Sequence, residues 1–147
     1  MLLTMHQILE EWAKDCKISP TNLENHNINV PQIHNKYFKG LLYHKDKARV
    51  KYGEYKKTER NRWRYYTGKL SKTALDAFGW EPWQENTQKS DVPLYLESDD
   101  IVIKSKYEYE THMECVNALE QIIKQINNFN WIIKNQIEIL KFKHGQL

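Results

Sequence analysis

Residues 58–70 read TERNRWRYYTGKL. Arg60, Arg62 and Arg64 alternate here with the rings of Trp63, Tyr65 and Tyr66. Guanidinium forks match phosphate oxygens in pairs, and ring faces accept unstacked bases whatever their sequence. Together they form a surface for single-stranded nucleic acid, on which each stacked base contributes roughly 1–3 kcal/mol. A second reading makes the same run a helix with its rings in the core and its charges in water. Trp63 and Tyr66 fit both readings. Arg60 and Arg62 point about 200° apart on an ideal helix. One strand meets both only if the helix ends early or another subunit completes the groove.

The run sits inside a longer cationic block. Between Lys36 and Lys72 there are thirteen bases against three acids, a net charge of +10 in a chain whose total is +3. The remainder therefore carries −7, which suits contact with a protein, while the basic block suits a polyanion. A solvated lysine-rich helix would have the same composition. Placed at 100° steps, Lys45, Arg49, Lys56, Arg60 and Arg64 share one face, with Lys57 at its edge. Tyr37, Leu41, Ala48, Tyr52, Tyr55 and Tyr66 form the neighbouring apolar stripe. The predicted DNA-binding set is Arg60, Arg62, Arg64, Trp63, Tyr65, Lys45, Arg49, Lys56 and Lys57.

The elements that must position this face read as mainly α, in one domain over residues 1–147. Ile8, Leu9 and Trp12 predict a short helix over 6–14. Ser19 and Pro20 predict a second start, ending before Val30 because Pro31 disfavours helix in the residue ahead of it; the first region is thus 1–30. A long helix over 31–66, stopped by Gly68, gives a basic-aromatic region at 31–70. Residues 71–105 contain a short helix from Ser71 or Thr73 to Phe78, the tryptophan-rich turn GWEPW, and a small β-hairpin near 92–105. In that hairpin Leu94–Leu96 and Ile101–Ile103 flank ESDD.

Residues 106–147 read as a second long helix. Val116, Leu119, Ile123, Ile126, Asn130, Ile133, Ile137 and Leu140 alternate spacings of three and four, a heptad seam with Asn130 at an a-type position. The seam requires cover from the rest of the chain, from sister chains, or from both. Asn130 either fixes register, faces water, or caps a break before Trp131.

Other chemistries are not indicated. There is neither a G-x-x-x-x-G-K-[ST] nor a G-x-G-x-x-G run, so no nucleotide loop or cofactor is predicted. His112 and Cys115 lie three apart, but no further ligands are spaced to join them around zinc. No nucleophile and base can be paired, and Asp99 and Asp100 read as turn residues. No catalytic residue, metal or membrane span is predicted. The N-terminus lacks a signal-peptide pattern, and two isolated cysteines suggest a reducing, intracellular setting.

In order along the chain, LEEWAKDCKISPTNL, HNKYFKGLLYHKDKAR, RNRWRYYTGKL, GWEPW and FNWIIKNQIEILKFKHG resemble the UvsY family of T4-like bacteriophages. The resemblance spans nearly the whole chain and lies in the ordered set of motifs. It implies a recombination mediator without enzymatic activity, acting in DNA recombination, repair and recombination-dependent replication. Such a protein forms ring-like hexamers or heptamers in the cytoplasm of the infected bacterium and binds single-stranded DNA. It contacts the phage single-strand-binding protein and helps load a RecA-like recombinase of the UvsX type. The family's basic pair falls on Arg60 and Arg62. Glu59 and Asn61 occupy positions that are apolar in T4-type members. The competing classes are a coiled-coil adaptor without nucleic-acid binding and a small nuclease.

Overall fold

The computed structural model describes residues 1–145 as six helices: α1 (Met5–Asp15), α2 (Leu23–Tyr66), α3 (Lys72–Phe78), α4 (Val92–Glu97), α5 (Asp100–Asn127) and α6 (Phe129–Lys143). No strand occurs among the described residues. No helix among them is long and apolar enough to cross a membrane. Two compact units can be distinguished. One comprises residues 1–46 and the described residues from His112 onward; the other is Lys47–Thr111. Both α2 and α5 contribute to each.

The first unit is built on α1, the first half of α2, the end of α5, and α6. Thr4 caps α1 by accepting the Gln7 N–H while the Gln7 side chain returns to the Thr4 N–H, a reciprocal capping box. Ile8, Tyr37, Leu41, Val116, Leu119 and Ile126 form the buried core. Trp12 meets Tyr37 edge-on at 5.6 Å and stacks on Phe129 at 5.9 Å. Gly40 is buried against Leu2 and Leu119, where a Cβ would stand at ordinary contact distances of 3.4 Å from Leu2 Cβ and 3.6 Å from Leu119 Cδ2. Buried His44 bridges Leu2 and His112. Its Nε2 lies 3.0 Å from the Leu2 carbonyl and its Nδ1 lies 3.0 Å from His112 Nδ1. A carbonyl can only accept, so His44 Nε2 carries the hydrogen, and in the neutral pair His112 Nδ1 donates to His44.

The second unit contains the rest of α2, then α3, α4 and the start of α5. Ser71 Oγ accepts the Ala74 N–H at 3.1 Å, and Gly79 ends α3 at φ 71°; both agree with the expected short helix.

Three expectations need correction. The predicted hairpin at 92–105 is helical: α4, a short turn, and the first turns of α5. Pro93 stands in the first turn of α4, where its missing N–H has no intrahelical partner to lose. Asp99 Oδ1 accepts the N–H groups of Ile101 at 2.9 Å and Val102 at 3.2 Å, capping α5. The β-branched run Ile101–Ile103 thus begins a helix and buries only Val102. The second correction concerns Ser19 and Pro31. Ser19 forms a turn with Thr21 and Asn22, and α2 starts at Leu23 and passes through Pro31. Asn27 and Pro31 are exposed, so water can take the carbonyl that proline leaves without a donor. Third, the long C-terminal helix begins earlier, at Asp100, and is interrupted at Asn128.

Burial predicts where the chain is sensitive. Leu119→Ala, at a fully buried site, is expected to lower unfolding free energy by about 2–5 kcal/mol. Leu94→Ala, at an exposed site, should change it by less than about 0.5 kcal/mol. Urea unfolding followed by circular dichroism measures both.

Candidate nucleic-acid interface

Within the second unit the last five turns of α2 divide into two faces. Arg49, Lys56, Lys57, Arg60 and Arg64 are exposed. Arg49, Lys57 and Arg60 have no carboxylate within 4.0 Å among the described residues. Lys56 is the most committed of the five. Its ammonium lies 3.4 Å from Glu59 and over the rings of Tyr55 and Tyr52, at 4.9 and 5.6 Å. The charge of Glu59 raises its pKa. Arg64 lends one N–H to the Lys69 carbonyl at 3.4 Å and otherwise faces water. Five cations on one helical face form a track for a phosphate backbone.

Arg62 points away from that track, as its 200° offset from Arg60 requires. Its side chain is 11% exposed and its Nε donates to Asp99 Oδ2 at 2.7 Å, where the Asp99 side chain is 2% exposed. Tyr66 Oη donates to the same oxygen at 2.5 Å, and Arg62 Nη2 donates to Tyr66 Oη at 3.4 Å. The guanidinium lies over Tyr65 at 4.3 Å and Trp80 at 4.5 Å. Burial of Arg62 opposes its charge, but the bonds to Asp99 and Tyr66 outweigh burial, and it holds its proton more tightly than usual. For Asp99, burial pushes the carboxyl up. The bonds from Tyr66, Arg62 and the Val102 N–H overcome this and leave it below the ordinary carboxylate range.

The rings are similarly divided. Tyr66 is buried, against Trp83 at 4.8 Å and Tyr95 at 5.3 Å. Half-buried Tyr65 donates to the Glu81 carbonyl at 2.5 Å, pinning the tryptophan-rich segment to the last turn of α2. Half-buried Trp63 carries Lys69 over its ring at 4.6 Å. Lys45 belongs to the first unit, where it faces Glu120 at 3.6 Å.

The seam residues are divided too. Val116, Leu119, Ile126 and Ile133 are buried in the chain itself, Ile123 and Leu140 are half-buried, and Asn130 and Ile137 are exposed. The helix break falls at Asn128, and Asn130 lies in the first turn of α6. Trp131, Ile139 and Phe142 leave further apolar surface on α6. Cys115 is buried, which raises its thiol pKa, with a smaller contribution from Glu114. Among the described residues no three His, Cys, Asp or Glu side chains are placed to hold a metal ion.

The sequence profile of the family described as "Recombination, repair and ssDNA binding protein UvsY" matches residues 11–146. The chain belongs to the UvsY family. No curated protein matches the sequence. Among solved structures, the crystal structure of the bacteriophage T4 recombination mediator protein UvsY superimposes with a TM-score of 0.84 at 19% identity. The match covers 97% of this chain and 98% of that one, and at this identity it shows the fold. A mainly helical UvsY fold is thus common to both.

Sequence reasoning within this UvsY fold missed Asp99, which it placed in a hairpin turn. The available signal was the pair Asp99–Asp100 ahead of the apolar run Ile101–Ile103, a pattern that also marks a helix start.

The Asp99–Arg62 pair generates a stability prediction. Asp99→Ala removes the cap and leaves a mostly buried guanidinium unpaired, a change expected to cost about 3–5 kcal/mol. Because the folded carboxyl is depressed, its contribution is complete above the ordinary carboxylate value of about 4. It is lost as pH falls through the lower folded value. Asp99→Asn should therefore lose part of the acid-side decline in stability, as measured by thermal unfolding across pH.

Proposed function

We propose that the chain is a recombination mediator without enzymatic activity, which binds single-stranded DNA along the exposed cationic face of α2 in its second unit. The observation supporting this is that face, Arg49, Lys56, Lys57, Arg60 and Arg64, in a member of a family described as single-stranded DNA-binding. Arg60 and Arg64 are the phosphate contacts nearest the rings. Arg62 acts from behind them, holding Tyr65 and Trp80 in place. In this reading the family's basic pair is divided, with one member on DNA and the other in the scaffold.

The proposal extends to assembly and partners. The subunits form a ring-like homo-oligomer, a hexamer or heptamer, which makes several modest sites into one strong one. Exposed Trp131, Ile137, Ile139 and Phe142, interspersed with Lys134, Lys141 and Lys143, support α6 as the contact. The buried residues of the seam hold the subunit together. The assembled protein contacts the phage single-strand-binding protein and loads a RecA-like recombinase of the UvsX type, in the cytoplasm of the infected bacterium.

Salt dependence tests the central step. Affinity for single-stranded DNA should fall with salt, with a slope near −0.7 in log K against log salt for each phosphate contact. Arg60→Ala with Arg64→Ala should flatten the slope by about 1.4, two contacts' worth, while leaving thermal stability within error. Arg62→Ala should lower stability and leave the slope nearly unchanged. Affinity independent of salt would contradict the phosphate track, and absence of DNA binding would favour the adaptor reading. Cleavage of the strand on adding Mg²⁺ would favour the nuclease.

A further inference from the structure

We propose that Phe78 and Trp80 form a base-stacking shelf for single-stranded DNA, a site outside α2 that adds base contacts to the phosphate track. The proposal rests on the DNA-binding reading above and deepens it.

The backbone makes the shelf. After α3 the chain reverses at Gly79, with φ 71°. The Gly79 N–H bonds the Asp76 carbonyl at 3.2 Å and the Trp80 N–H bonds the Leu75 carbonyl at 3.0 Å. This is the paired closure of a Schellman turn, and it fixes the residues on either side of the glycine. Phe78 and Trp80 emerge face to face, with centroids 4.4 Å apart and planes 19° apart. Trp80 has the Arg62 guanidinium over its ring at 4.5 Å and Tyr65 edge-on at 5.5 Å. Tyr65 fastens the following residue, Glu81, through its carbonyl at 2.5 Å. The indole is therefore held from α2, and Arg62 is itself held by Asp99 at 2.7 Å.

Phe78 caps this stack and is 44% exposed. A ring backed by a second ring and partly exposed to water is what an unstacked base requires. Because Trp80 rests on Arg62 and Tyr65, the shelf lies on the side of α2 away from Arg60 and Arg64, and a strand reaches it around the end of the helix. The shelf supplies flat π surface for one base, while Arg60 and Arg64 hold phosphates further along the strand. Asp76 is two residues from Phe78 and points about 200° away from it around α3, so its carboxylate does not oppose an approaching strand. Because the backbone and the Asp99–Arg62–Trp80 chain set the shelf beforehand, binding a base there orders little protein.

The test uses the full-length protein and two probes: oligo(dT), and an oligonucleotide of equal length whose sugars lack bases. The parent should bind oligo(dT) more tightly than the abasic strand. Phe78→Leu keeps an apolar cover on Trp80 but removes the ring face. It should shrink that preference by roughly 5- to 150-fold, the range for one base on one ring, and leave abasic affinity unchanged. Phe78→Trp should retain the preference. An undiminished preference in Phe78→Leu overturns the shelf. So does an equal loss on both probes, which assigns Phe78 a purely structural role. A parent that binds both probes alike overturns the shelf while leaving the phosphate track standing. A parent that binds neither overturns the track and the shelf together.

Discussion

The carboxylate of Asp99 joins the two long helices within the second unit, and the organisation of that unit depends on it. One oxygen caps α5 through the N–H groups of Ile101 and Val102. The other receives Arg62 and Tyr66 from the end of α2. A mostly buried charge pair contributes little net stability over an apolar pair of the same shape, but removing one partner strands the other at high cost. Its value is therefore largely directional. It sets the rotation of the end of α2, fixing which residues of the RNRWRYY run face inward and which face water. The rings of Tyr65 and Trp80 rest on the guanidinium that it holds.

This rotation gives three arginines two different tasks. Arg60 and Arg64 keep exposed side chains suited to screened contacts with a phosphate backbone, and Arg62 is confined among rings and a carboxylate. A guanidinium suits confinement because it stays charged and can stack on aromatic faces while donating in its own plane. Lysine would lose the stacking and the directed bond to Asp99. The first unit places its polar groups by similar rules. His44 is buried but joined to Leu2 and His112, and the Tyr37 hydroxyl donates to Asp15 at 2.8 Å. Burial and that bond raise the Tyr37 pKa.

Much of this was legible in the sequence because it is local. The cap at Ser71 and the stop at Gly79 are set by residue chemistry within a few positions, so α3 could be read almost to its ends. The apolar stripe and the cationic face of α2 follow from helical periodicity, and the resemblance to the UvsY family followed from ordered motifs. What was not legible depends on partners distant in sequence. Leu94–Leu96 and Ile101–Ile103 match a strand as well as a helix over so few residues. The decision falls to Asp99, which is held by Arg62, thirty-seven positions away. Wheel geometry showed that Arg60 and Arg62 diverge, but not which of them faced the protein. In the seam, spacing marked Val116, Leu119 and Ile126 as apolar contacts without revealing that the chain covers them itself.

Mapping where a strand touches the protein tests the account most directly. An oligonucleotide carrying photoreactive 5-iodouracil, cross-linked to the protein and digested for mass spectrometry, reports the residues beside the bases. The expected cross-links fall within residues 49–64 and 78–80, with Phe78 prominent and Arg62 absent. Cross-links confined to residues 112–143 would contradict the account, placing the strand on the first unit and leaving the cationic face of α2 without its proposed role.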